Sequence, residues 1–194
     1  MDRRAAGGGR VADGDRARRR GPRRLLLDEG ARELVVAAGP WETIARDAAA
    51  ESALWADALR PEDERELEPV FSTLAAERYC LGLETIYEGY LLHYGRSRLF
   101  APQDDDTALL LGDYLYAHGL VRVAESGTVE AVADLAALIS LCAQLRADGL
   151  AGDGEAWAAT ASTLGEGPAA RSGWTADGAE PVVRALEAHR RRVE

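Results

Sequence analysis

Lysine is missing from this chain. All 23 basic residues are arginine, set against 33 acids for a formal net charge of −10. With abundant alanine and glycine, the exclusive use of arginine points to a GC-rich coding sequence more than to a function. Cysteine is scarce. Cys80 and Cys142 stand in apolar stretches without CxxC spacing, which argues against a disulfide scaffold and predicts buried free thiols in a reducing, intracellular setting. No apolar run reaches the roughly 20 residues that a membrane-spanning helix needs, and no secretory hydrophobic segment follows the basic N-terminus. The expected location is the cytoplasm. There is no Gly-x-Ser-x-Gly elbow and no cysteine at an expected helix N-terminus, so nucleophilic catalysis is not indicated. Alternating strand patterns of useful length and internal repeats are also lacking, and the expected fold class is all-α.

What is present suits one ordinary core: 194 residues, 47% of them hydrophobic, read as a single α-helical domain over residues 25–194. Within it, residues 25–149 are expected to form the core bundle and residues 150–194 a Gly-rich extension with short helices. Residues 1–24 hold nine Arg and three Asp, a local balance of +6 that leaves −16 for the remainder. This segment reads as a disordered basic arm or a translated leader. Lacking aromatic residues, it has no platform for stacking bases, and the acidic body argues against nucleic-acid binding.

Pro40 and Trp41 open a helical stretch expected to run through Leu59, and Pro61-Glu62-Asp63-Glu64 opens another with acids suited to its N-terminal dipole. Residues 79–127 read as two adjacent helices joined by a short polar loop. Tyr79, Leu83, Ile86, Tyr90 and His93 recur at helical spacing on one face of the first, with Glu77, Glu84 and Glu88 on another. Residues 129–145 are apolar nearly all round, which predicts a helix at the centre of a bundle. Further on, residues 156–164 read as a short helix. Residues 181–193 read as an amphipathic one, with Val182, Val183, Leu186 and His189 on its stripe and Arg190-Arg191-Arg192 suited to its C-terminus. Trp157 and Trp174 are expected to pack this tail onto the bundle.

The helix ERYCLGLETIYEGYLLHYG, followed by LLLGDYLYAHGLVRVA, resembles the middle of the trans-isoprenyl diphosphate synthase (polyprenyl synthetase) family. There a helix carrying a Glu and then a His precedes an aspartate-rich DDxxD motif, and the next helix opens on Gly-Asp-x-Leu. The matching features are Glu84, His93 and Gly112-Asp113-Tyr114-Leu115. The resemblance covers the central half of the chain. It implies a truncated bundle of the isoprenoid synthase kind, with Glu84, Tyr90, His93 and Asp113 as the residues toward a prenyl diphosphate ligand.

The motif that holds magnesium in that family departs here. Tyr94-Gly95-Arg96-Ser97-Arg98 stands where DDxxD would, and it supplies no carboxylate oxygen for Mg²⁺. The Arg-Arg-Gly, Gly-Gly-Lys-Arg and second aspartate-rich motifs have no counterpart. The resemblance therefore implies a scaffold without its chemistry: no catalytic residue, no cofactor unless a diphosphate site bound Mg²⁺, and a non-catalytic partner subunit in a homo- or hetero-oligomer with a related synthase. The alternative is a helical protein-interaction or small-molecule-binding protein that keeps only the scaffold. If the chain is an enzyme, it is a prenyltransferase using Asp104-Asp105-Asp106. Those consecutive acids do not share a helical face, and after Pro102 they read as an N-cap with first-turn acids. Asp113 also reads as architectural. His93 and His118 lack the Glu-x-x-His pairing of bundle metal sites, and no metal site is expected.

Overall fold

The structure, a computed structural model, describes residues 39–193; the expected basic arm over residues 1–24 lies outside them. The described residues are all-α: eight helices and three short 3₁₀ turns, with an isolated antiparallel bridge between Leu59 and Phe100. Among them no helix is long and apolar enough to cross a membrane.

Helix α1 (Pro40–Glu51) begins with Pro40 in its first turn, where the fixed φ of proline suits a helix and its missing N–H costs nothing. It does not continue to Leu59 as the pattern predicts. Ser52 is extended (φ −150°, ψ 136°) and its Oγ accepts the Leu54 N–H at 3.2 Å. Serine there caps a second helix, α2 (Ala53–Asp57), and interrupts the first.

The helix expected from Pro61 is likewise reduced, to the 3₁₀ turn η1 (Glu62–Glu64). The backbone beyond it is engaged elsewhere. Glu66 N–H donates to the Arg98 carbonyl at 3.2 Å, Glu68 C=O accepts from Arg98 Nη1 at 2.9 Å, and Val70 N–H donates to Glu84 at 3.3 Å. Groups committed to a loop and to side chains are lost to an i→i−4 ladder. Two further turns, η2 (Ser72–Leu74) and η3 (Glu77–Tyr79), lead into α3 (Cys80–Tyr94).

Helix α3 is the central element, with every position over 82–91 buried. It pairs antiparallel with α4 (Asp105–Ser126), and the two backbones meet at glycines. A Cβ on Gly89 would stand 2.8 Å from the Gly112 carbonyl oxygen, and one on Gly119 would stand 3.0 Å from that of Gly82. Each pair is seven residues from the next on its own helix, so the contact repeats every two turns on one stripe. Arg122 of α4 reaches back to Asp47 of α1 at 2.7 Å and to Thr85 of α3 at 2.5 Å.

Helix α5 (Val129–Ala147) is not the bundle centre that its composition predicts. It buries one stripe, Ala131, Asp134, Leu135, Leu138 and Cys142, while Val129 and Leu141 are 82% and 48% exposed. The C-terminal part is not an extension of a finished core. Helices α6 (Asp153–Ser162), α7 (Pro168–Gly173) and α8 (Glu180–Val193) follow, and Trp157, Ala158, Val182 and Ala185 share one apolar cluster with Phe71, Tyr87 and Leu135. Trp174 packs against the same cluster. A smaller cluster joins Trp41 and Ile44 of α1 to Leu99, Phe100, Leu111 and Leu115. Each fully buried side chain of this size contributes about 1.5–3 kcal/mol.

Candidate functional site

Two carboxylates lie on the buried surface of α3, one turn apart, facing the loop that leads to α4. Both are spent on Arg98, whose side chain is wholly buried. Arg98 Nη1 stands 2.7 Å from Glu84 Oε2 and Arg98 Nε 2.5 Å from Glu88 Oε1. The remaining carboxylate oxygens are also filled. Glu88 Oε2 accepts Ser97 Oγ (2.6 Å), Arg98 N–H (3.2 Å) and Leu99 N–H (3.3 Å), and Glu84 Oε1 accepts Val70 N–H and Ser72 Oγ. The guanidinium lies over the Trp41 ring at 4.4 Å and the Tyr87 ring at 5.1 Å, an arrangement that offsets part of its lost hydration. Burial alone would lower the Arg98 pKa, but the two carboxylates raise it above the ordinary arginine value. This is a charge-balancing latch that fixes the loop on the helix.

The other side of α3 carries a second polar centre. Tyr90 OH donates to Asp153 at the start of α6. Arg146 from the end of α5 donates to Tyr90 OH at 2.8 and 3.1 Å and pairs with Asp153 at 2.5 Å. His189 of α8 bonds Tyr87 OH through Nδ1 at 2.9 Å, and its Nε2 lies 3.5 Å from Asp153 Oδ2. Phe71 and Trp157 enclose these groups, with ring centroids 5.1–5.6 Å from one another and from Tyr87 and Tyr90 for Trp157. Burial pushes the Asp153 carboxyl up, but the Tyr90 hydroxyl, His189 and Arg146 together hold it below the usual value. Burial holds His189 below the usual imidazole value and, with the bond to Asp153, raises the Tyr90 phenol. A groove of about 460 Å³ opens beside this centre, lined by Arg146, Gly152, Asp153, Gly154, His189 and Arg190 among others.

The residues expected to face a ligand therefore fall in three places. His93 and Asp113 are brought together, Nε2 to Oδ1 at 3.3 Å, with the imidazole stacked on Tyr116. Glu84 is locked on Arg98, and Tyr90 is buried against Asp153 and Arg146. Gly112 has an architectural reason, since a Cβ there would stand 2.5 Å from His93 Nε2. Asp104 caps α4 as predicted, accepting the Thr107 N–H at 2.8 Å and Thr107 Oγ1 at 2.9 Å. Asp105 and Asp106 occupy the first turn. A Mg²⁺–diphosphate centre does not fit this donor set, because residues 94–98 bring no carboxylate and the nearby Asp104 is occupied as a cap. Among the described residues no group of three or more His, Cys, Asp and Glu is placed to hold a metal ion.

Both cysteines are free. Cys80, contrary to expectation, is the first residue of a helix. Its thiol is nonetheless pushed up, first by burial and then by Glu84 and Glu77. Burial pushes Cys142 up to about 12. Reading the sequence alone missed Glu88, Arg98, Arg146 and Asp153 as partners. For the Arg98 pairing the available signal was Glu84 and Glu88 inside an apolar helix, since such groups are buried only with a partner. Comparison of the chain with protein-family models, curated proteins and solved structures finds no match.

Proposed function

We propose that the protein is a divergent polyprenyl-synthetase-like subunit, non-catalytic on its own, which associates with a related active synthase in the cytoplasm and affects its product length or stability. The resemblance behind this reading rests on Glu84, His93 and Gly112-Asp113-Tyr114-Leu115. The observation that carries the non-catalytic part is the pairing of Glu84 and Glu88 with a buried Arg98, because carboxylates neutralised by a guanidinium are not ligands for a hard divalent cation. Exposed Leu110 and Val121 lie on one face of α4 and are apolar positions open to a partner helix.

The test is co-purification with a complete synthase from the same source, followed by turnover of isopentenyl and farnesyl diphosphates with Mg²⁺. A complex whose product length differs from that of the synthase alone supports the reading. Turnover by this chain alone, or no association with such a synthase, overturns it.

A second reading is a helical interaction protein that keeps only the scaffold. It is favoured by the close approach of α3 and α4 at Gly89 and Gly112, which leaves no room for a prenyl chain between the helices at that level.

A further inference from the structure

We propose that the groove between α5 and α6 binds a small uncharged organic compound, an alcohol with an apolar body of roughly eight carbons, whose hydroxyl bonds that of Thr160. The inference does not rest on the synthase-partner reading.

The groove follows from short side chains. Ala156, Ala159 and Thr160 share one stripe of α6 at i, i+3 and i+4, and α5 contributes Ala137, Leu138 and Leu141. Alanine and threonine are too short to fill the space between these two helices, and a cavity of about 310 Å³ remains. That is about twice the roughly 150 Å³ that holds a benzene molecule in an engineered apolar cavity. Leu141, 48% exposed, offers apolar surface for a ligand to cover.

Thr160 supplies the polar group. The residue is 2% exposed, and among the described residues its hydroxyl makes no hydrogen bond. The other hydroxyls nearby are spent: Thr163 Oγ1 donates to the Ala159 carbonyl at 2.9 Å, and Ser172 Oγ to that of Pro168 at 2.9 Å. Thr160 Oγ1 is not sealed from solvent as the unpartnered Tyr79 OH and Trp157 Nε1 are, so it opens into the groove that the residue lines. A hydroxyl held in an apolar wall favours a ligand that both donates and accepts.

Charge excludes an ionic head. Arg171 is the one charged residue among those lining the groove, and it is neutralised by Asp134 at 2.6 Å. Asp134 is in turn satisfied, its Oδ2 accepting the Gly165 N–H at 3.1 Å. An anion or a cation entering this space would leave water without a free counter-charge, whereas an alcohol needs none.

The experiment is ¹H–¹³C methyl NMR of the full chain titrated separately with 1-octanol, octanoate and n-octylammonium. Saturable shifts of the Leu138, Leu141, Ala156 and Ala159 methyls are expected with 1-octanol, and binding about tenfold weaker with the two ions. Thr160→Val, which keeps the shape and removes the hydroxyl, is expected to weaken 1-octanol binding about fivefold. Ala137→Phe fills the groove from an exposed position and is expected to abolish binding, which keeps the test open if Thr160→Val fails to fold. The proposal is overturned if those methyls do not move at millimolar 1-octanol, or if either variant binds as the native chain does. Octanoate or octylammonium binding as tightly as the alcohol overturns the uncharged assignment.

Discussion

At the scale of single residues, Arg98 has the largest consequences. It neutralises two buried carboxylates, donates to the Glu68 carbonyl, and lies over Trp41 and Tyr87. Arg98→Met would leave Glu84 and Glu88 facing each other in the core without a cation. The expected cost is about 3–5 kcal/mol, the usual penalty for removing one partner of a buried pair, read as a shift of the urea midpoint. The triple replacement of Glu84, Glu88 and Arg98 by apolar residues of matching size should recover much of that loss, since no charge is then stranded. Arg98→Lys should not recover it, because a point charge cannot bond two carboxylates and a carbonyl in one plane. His189 gives a pH prediction. Its folded pKa lies below its unfolded one, as does that of His93. Their contribution is complete above about pH 6.5 and is lost as pH falls below it. Asp153, also lowered, adds a second loss below about pH 4. Tyr87, Asp153, Arg146 and Glu155 are the polar and charged groups around His189. The urea midpoint should therefore fall between about pH 7.5 and 5.5, and His189→Phe should shrink that drop whatever its effect at pH 7.5; an unchanged drop would remove His189 as its source.

At the scale of elements, the α3–α4 pair is decided by where side chains are missing. Gly89 faces the Gly112 carbonyl and Gly119 faces that of Gly82. Alanine has the better helix propensity by about 1 kcal/mol, but a Cβ at position 89 would meet backbone at 2.8 Å, and backbone cannot rotate away. Gly89→Ala should destabilise by about 1–3 kcal/mol. Gly173→Ala, where nothing lies within 4 Å, should be neutral or stabilising by up to about 1 kcal/mol. Melting temperatures of the two variants check the contrast, and equal shifts would mean that the glycines are not in contact. The two helices were legible from Tyr79, Leu83, Ile86 and Tyr90 because apolar spacing reports a helix directly. The acids at Asp104 to Asp106 were legible as a cap because capping is local. The break at Ser52 and the unravelled stretch after Glu64 were not. Both depend on partners distant in sequence or on a competing local cap, as Arg98 does in drawing residues 66–70 around itself. The all-round apolar pattern of α5 misled because alanines fill its outer face, and alanine is tolerated equally inside and outside.

At the scale of the whole molecule, the polar centres were beyond the reach of the sequence for a related reason. Tyr90, Arg146, Asp153 and His189 come from four helices, and spacing along one helix cannot announce such a convergence. The exposed surface makes the proposed association testable. Leu110 and Val121 are 56% and 52% exposed on α4, eleven residues apart and hence three turns along one face. An acid at either position adds charge to a chain already at −10 without touching the buried stripe of α4, so folding should be preserved. If this face meets a partner helix, Leu110→Asp should bury an unpaired carboxylate in that interface and weaken the complex by about 2–5 kcal/mol. Native mass spectrometry of the chain mixed with a complete synthase reads the change. Loss of complex in Leu110→Asp and Val121→Asp, with retention in Glu130→Gln on α5, is the expected pattern. Retention in all three variants would move the interface elsewhere, for instance to the exposed apolar residues Val129 and Leu141 of α5.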